Sequence, residues 1–287
     1  MSSSPTNYAA SVGIHSVAAA AIFALLFFPL FIWFIRQSIR NTTFVYIILA
    51  LFCQMRVLAF VLRAIMAHST SAGSNLNLFI VDQVLFGVGF FALLYSAYTL
   101  VLDRDVLAGG KRGSLFSCNP LRNPHAFHMA LMGVVVIGII ATVNSTSDNA
   151  DDVSTGHNLR KVSTIIFLGL TFLQTVQTVW FFRDTTGYVY LAKSSTRPWG
   201  DRSGRYVLCL ISLLMIMREF FLAVTMNDAA KQNKEHLWYP FVALPELLAV
   251  VCYSVSGLVP TRAALRAVDN NSNFPAYNMR GGTSVVF

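Results

Sequence analysis

The chain has 287 residues, of which 55% are hydrophobic and only 12% are charged, and its mean hydropathy is +0.58. Soluble domains contain about 25% charged residues, so too few polar side chains remain to cover a soluble surface of this size. The four cysteines, the 23 phenylalanines and the lack of a glycine period exclude disulfide-rich, wholly disordered and collagen-like proteins. The composition therefore indicates a membrane protein.

Seven stretches meet the length of about 20 apolar residues that a helix needs to cross a bilayer. They do not alternate as barrel strands would, and helices satisfy their own backbone groups in lipid. The predicted fold is all-α, a bundle of seven transmembrane helices formed by residues 1–260, followed by a cytoplasmic tail at 261–287 that is disordered or lies on the surface. The predicted spans, numbered 1 to 7, are Ala10–Ile35, Thr43–Ile65, Leu78–Leu102, Ala126–Val143, Val162–Phe182, Arg205–Met226 and Leu237–Val259.

The net charge of +8 is distributed unevenly between the two sides of the membrane. With the N-terminus outside, 14 Lys and Arg residues flank the spans on the cytoplasmic side and 4 on the other, as the positive-inside rule requires. We expect membrane lipids to be partners of these scattered charges and predict no nucleic-acid binding. A glycosylation sequon begins at Asn144 on the outer side. The plasma membrane is the favoured location, with an endomembrane as the alternative.

Six ionisable residues lie within the spans, where charges are expensive and mark function by default. Three are positive and three are negative, so the set is able to neutralise itself. At a rise of 1.5 Å per residue, Arg56 lies about 20 Å from the inner surface and Glu246 about 14 Å from the outer one. Arg218 and Glu219 lie near that level, and Arg63 and Asp82 lie level with each other near the outer rim.

Two uncharged features accompany these residues. Span 5 carries a polar stripe in which Thr171, Gln174, Thr175 and Thr178 share one helix face. Pro245 lacks a backbone donor and is expected to kink span 7 beside Glu246.

The buried charges allow two interpretations. In one, Arg56–Glu246 and Arg218–Glu219 are structural pairs that hold the bundle together. In the other, they form a polar cavity, open toward the outer half, that binds a charged or zwitterionic head group. The candidate cavity residues are Arg56, Arg63, Asp82, Gln174, Arg218, Glu219 and Glu246, with Arg63 and Asp82 at the outer mouth.

Several familiar activities lack their residues. No lysine lies in a span, which excludes a retinal Schiff base. The chain has no phosphate-binding loop and no nucleophile elbow, and His125 and His128 lack further ligands for a metal. We therefore predict no metal, no cofactor and no catalytic residue.

Three segments resemble a known group of proteins. They are FVYIILALFCQMRVLAFVLRAI at Phe44–Ile65, VDQVLFGVGFFALLYSAYTLVLDR at Val81–Arg104 and PELLAVVCYSVSGLVP at Pro245–Pro260. The chain resembles a fungal family of seven-span integral membrane proteins and, more distantly, is similar to fungal lipid-translocating exporters linked to drug and sterol-inhibitor resistance. The resemblance implies a fungal source, a seven-helix bundle and an exporter or stress-resistance function.

The favoured interpretation is thus a protein that binds or translocates a lipid or amphipathic small molecule. One alternative is a receptor-like sensor that relays through the cytoplasmic loops Asp103–His125 and Arg183–Gly204. Another is a small membrane enzyme, similar to a terpene cyclase, that uses Glu219 or Glu246 as a buried acid.

Overall fold

Seven long apolar helices dominate the computed structural model, which describes residues 8–11, 13–107, 124–147, 149–184, 199–232 and 234–273. Each is long and apolar enough to cross a membrane, and no strand occurs in these ranges. The protein is an all-α, multi-pass integral membrane protein. Spans 1 to 7 are Val17–Arg40, Phe44–His68, Leu76–Leu107, Pro124–Asn144, Ala150–Asp184, Trp199–Thr225 and Glu235–Tyr253.

Span 5 begins much earlier than its hydropathy predicts. It starts at Ala150, twelve residues before the predicted Val162, so Arg160 lies on a helix and not in an external loop. Gly156 makes this possible, since a Cβ there would lie 2.5 Å from the Ser145 backbone nitrogen and 2.9 Å from the Ala141 carbonyl oxygen. The first turns of span 5 therefore pack directly against the end of span 4.

The tail departs from the predicted disorder. A helix at Arg262–Asn273 packs against span 3, and its Ala264 and Leu265 are partly buried. The rest of the predicted tail, 274–287, lies outside the described residues, as do 108–123 and 185–198 in the two predicted relay loops.

The order of the helices brings the chain round in a ring. Each span packs against the next, span 7 also contacts span 1, and span 3 additionally contacts spans 5 and 6. At one end, Glu235 Oε1 accepts hydrogen bonds from the backbone nitrogens of His15 and Ser16, each at 2.8 Å. At the other, the Thr43 hydroxyl donates to the Pro260 carbonyl at 3.3 Å. We call these the Ser16 end and the Pro260 end.

Apolar side chains cover the outside of the bundle. Leu25 is 71% exposed, Ile39 78% and Met129 69%. A soluble monomer rarely exposes apolar surface on this scale, whereas a bilayer solvates it. The six charged residues predicted within the spans are buried, where they require partners.

Candidate functional site

Arg56 and Glu246 form the centre of a buried charge network. Arg56 lies twelve residues from either end of span 2, about 18 Å at the helical rise. Its Nε donates to Glu246 Oε2 at 2.6 Å and its Nη2 to Glu246 Oε1 at 2.7 Å. This two-point geometry between a guanidinium and a carboxylate is the strongest ion pair that side chains form. The pairing expected from depth along the helices is therefore present.

Span 3 supplies the remaining partners of Arg56. Its Nη1 donates to the Leu85 carbonyl and its Nη2 to the Phe86 carbonyl, both at 3.2 Å. The guanidinium reaches this backbone because residue 89 is glycine: a Cβ there would lie 2.6 Å from Arg56 Nη1. Gly89 thus makes room for the charge network.

Arg218 and Glu219 extend this network into span 6. Arg218 Nη1 donates to Glu219 Oε1, and Arg218 Nε lies 2.8 Å from Glu246 Oε1 in an ion pair. The guanidinium also stacks on Phe90 at 3.8 Å. Two arginines and two glutamates from spans 2, 6 and 7 are therefore connected and sum to zero charge.

Arg63 and Asp82 form a second, separate pair nearer the Ser16 end. Arg63 Nε lies 3.1 Å and 3.2 Å from the two Asp82 carboxylate oxygens, and the Gln83 amide also donates to Asp82. Phe86 and Trp238 stack against the Arg63 guanidinium, 4.1 Å and 3.8 Å from its central carbon. Both residues are buried, and their predicted position at an outer mouth stays a prediction.

Span 7 is irregular directly before Glu246. A π-helical turn at Tyr239–Ala243 precedes Pro245, and the Leu244 nitrogen bonds the Tyr239 carbonyl five residues back. Pro245 has no N–H to continue the ordinary ladder, which explains why the wider turn is found here. Such turns recur at functional sites, and this one sets the register that turns Glu246 inward.

A cavity of about 150 Å³ lies between spans 3, 4, 5 and 6. The cavity extends toward the Ser16 end, because its lining residue Thr142 lies two residues before the end of span 4. Arg218 and Glu219 form part of its wall, together with apolar residues of all four spans. Its polar lining also includes Gln83, Thr142, Arg160, Ser163 and Thr164, and its apolar lining includes Val84, Val88, Phe90, Val135, Ile139, Phe167 and Leu222.

Arg160 is the charged residue of the cavity lining that the sequence analysis did not include among its candidates. Its Nη2 donates to the Gln232 side-chain oxygen at 3.0 Å. A signal was available: Arg160 precedes Thr164, Thr171 and Gln174 by 4, 11 and 14 residues, which continues the predicted polar stripe of span 5 by three turns. Because the hydropathy pattern predicts that span 5 begins at Val162, it places Arg160 in the preceding loop.

Gln174 lies in a different polar cluster. Its Nε2 donates to the hydroxyl oxygens of Thr178 and Ser212, each at 3.0 Å, while its Oε1 has no hydrogen-bond partner among the described residues. Thr171 and Thr175 donate to carbonyls of their own helix. The stripe therefore joins spans 5 and 6 below the cavity.

Of the seven predicted site residues, only Arg218 and Glu219 line the cavity. Arg56 and Glu246 do not line the cavity but connect to it through the Arg218–Glu246 ion pair. The cavity lining does not include Arg63, Asp82 or Gln174. Asn144 is the last residue of span 4, so its glycosylation stays a prediction. Within the described ranges, no three His, Cys, Asp or Glu side chains gather as a metal site would need.

Neither a protein-family model, nor a curated protein, nor a solved structure matches this chain. The resemblance to fungal exporters therefore stays an expectation from the sequence.

Proposed function

We propose that the protein binds, or translocates, a lipid or amphipathic small molecule whose head group enters the cavity between spans 3, 4, 5 and 6. The observation that carries this proposal is the mixed lining: an Arg218–Glu219 ion pair and five further polar side chains lie among apolar side chains from all four spans. Ligand pockets combine a mostly apolar lining with a few placed polar groups in this way.

The size of the cavity between spans 3, 4, 5 and 6 supports its role as a ligand site. Protein interiors are close-packed and contain few voids larger than a water molecule. This cavity of about 150 Å³ is partly open to the outside of the bundle, so a ligand is able to reach the charged pair in its wall. A volume of this size accommodates a compact group about as large as benzene, so hydrocarbon chains of a lipid would lie outside.

Orientation follows from the charge distribution of the sequence. We place the Pro260 end in the cytosol because 14 of the Lys and Arg residues that flank the spans belong to that side. The cavity would then lie in the outer half of the bilayer, with the plasma membrane as the favoured location. The transport part of the proposal is supported by the resemblance to exporters alone.

Filling the cavity tests the proposal. Gly87 lines the cavity and a Cβ there would meet no atom within 4 Å, so Gly87→Leu places a side chain in this volume. Gly169→Leu is the matched control, since residue 169 is exposed on span 5 and its Cβ also meets nothing within 4 Å. The probes are short-chain fluorescent phosphatidylcholine and phosphatidic acid, titrated onto the purified full chain in detergent.

We expect saturable binding of at least one probe to the wild type. Overpacking costs about 1–3 kcal/mol, so Gly87→Leu should weaken binding by about tenfold, while Gly169→Leu should leave it unchanged. Equal binding by all three proteins would refute a site in this cavity. In proteoliposomes, the rate of flipping of the same probes then separates translocation from binding alone.

A further inference from the structure

In the described part of the chain, the positively charged side chains in and around the cavity outnumber the negatively charged ones by one. Arg56, Arg218, Glu219 and Glu246 cancel one another, and Arg63 cancels Asp82. Arg160 is different: among the described residues its side-chain partner is the neutral amide of Gln232, and no carboxylate pairs with it. A guanidinium has five N–H donors, and the amide oxygen of Gln232 accepts from one nitrogen.

The position of Arg160 makes this imbalance significant. Gly138 and Thr142 line the same cavity from within the apolar sequence of span 4, so Arg160 lies at the depth of that helix. Gln232 is held in turn, because its own amide lies 3.4 Å from the Leu222 carbonyl as a donor. Because the side-chain partner of Arg160 among the described residues is one neutral amide, its guanidinium keeps donors for an anion bound in the cavity.

We infer that the cavity selects an anionic head group, a phosphate or carboxylate, and that Arg160 binds it. This inference rests on the proposed function and adds the charge class of the ligand. Planar guanidinium groups match both anions through paired hydrogen bonds. The cavity volume suits a compact anion, which either a lipid head group or a small soluble phosphate supplies.

A panel of probes tests the charge preference. The full-length protein, in neutral detergent, is titrated with dioctanoyl phosphatidic acid, dioctanoyl phosphatidylcholine, dioctanoylglycerol and glycerol 3-phosphate, and bound probe is counted by native mass spectrometry. We expect phosphatidic acid to bind at least about tenfold more tightly than phosphatidylcholine, and dioctanoylglycerol more weakly still. Glycerol 3-phosphate binding as tightly as phosphatidic acid would support the anion site and identify its ligand as a soluble phosphate.

Two variants of the Arg160–Gln232 contact sharpen the result. Arg160→Gln removes the charge, and Lys161→Gln removes the same charge one residue away, at a position that does not line the cavity. Gln232→Glu keeps Arg160 but gives it a carboxylate partner at the same place. Arg160→Gln and Gln232→Glu should each lose the preference for phosphatidic acid, about tenfold, and Lys161→Gln should keep it.

The outcomes are distinguishable. If phosphatidylcholine and phosphatidic acid bind equally to the wild type and Gly87→Leu weakens both, the cavity binds lipid but the anion inference is wrong. If no probe binds at all, the proposed function fails with it. If Arg160→Gln does not fold, Gln232→Glu tests the inference instead. If Arg160 has a purely structural role, the Gln232→Glu variant should keep the wild-type preference for phosphatidic acid.

Discussion

Two interiors of this bundle are built from the same residue types and differ in how completely those residues are paired. Between spans 2, 3 and 7, Arg56 meets both oxygens of Glu246 and two backbone carbonyls, and Arg63 is enclosed by aromatic rings. Between spans 3, 4, 5 and 6, a cavity remains, and within the described ranges the side-chain partner of Arg160 is the Gln232 amide.

A buried arginine is therefore not by itself a sign of a binding site. A guanidinium whose donors are satisfied by a carboxylate and carbonyls holds helices in place, whereas one left with a neutral partner beside a cavity has capacity for a ligand. Arg218 belongs to both interiors, since it contacts Glu246 and lines the cavity. It therefore couples the closed interior to the open one.

The largest effect is expected from breaking the closed interior. Glu246→Gln leaves Arg56 and Arg218 without their shared carboxylate, and loss of one partner of a buried pair costs about 3–5 kcal/mol. The measurement is the thermal unfolding of the purified protein in detergent. Arg56→Gln should be destabilising for the same reason, because Glu246 loses its two-point partner.

The double variant Arg56→Gln with Glu246→Gln is the control for this prediction. Removing both charges leaves Arg218 paired with Glu219, so the double variant should be no less stable than either single variant. A loss of stability equal to the sum of the two single losses would show that the residues do not act as a pair.

A smaller effect separates two glycines of span 3. Gly89→Ala places a methyl group against Arg56 Nη1 and should displace the guanidinium from the Leu85 and Phe86 carbonyls, at a cost of about 1–3 kcal/mol. Gly87→Ala, one half-turn away, points into open space and should change stability by at most about 0.5 kcal/mol. Equal unfolding temperatures for these two variants would contradict the assigned position of Arg56.

The smallest effect is expected in the polar cluster below the cavity. Gln174→Leu loses contacts with Thr178 and Ser212 but also removes an oxygen that has no partner in the described part of the chain. Interhelical hydrogen bonds of this kind average about 0.6 kcal/mol in a membrane, so we expect a stability change below about 1 kcal/mol. Probe binding should be unchanged, and its loss would place Gln174 in the ligand path.

The sequence predicted much of the closed interior and little of the open one. The depths of Arg56 and Glu246 follow from counting residues along straight helices, and opposite charges at one level in a bilayer have strong reason to pair. Gly89 gave no comparable signal, because the need for a glycine arises only where the Arg56 side chain from another helix crosses it. The cavity likewise depends on how four helices diverge, which no local pattern encodes.

Hydropathy and charge alone determined that this chain crosses a membrane seven times as helices, since both are properties of single segments in contact with lipid. Only the tertiary structure decided which buried charged side chains form ion pairs with one another and which line a cavity. That distinction depends on distances between side chains of different spans, and a displacement of a few ångströms decides whether an arginine faces a carboxylate or an amide.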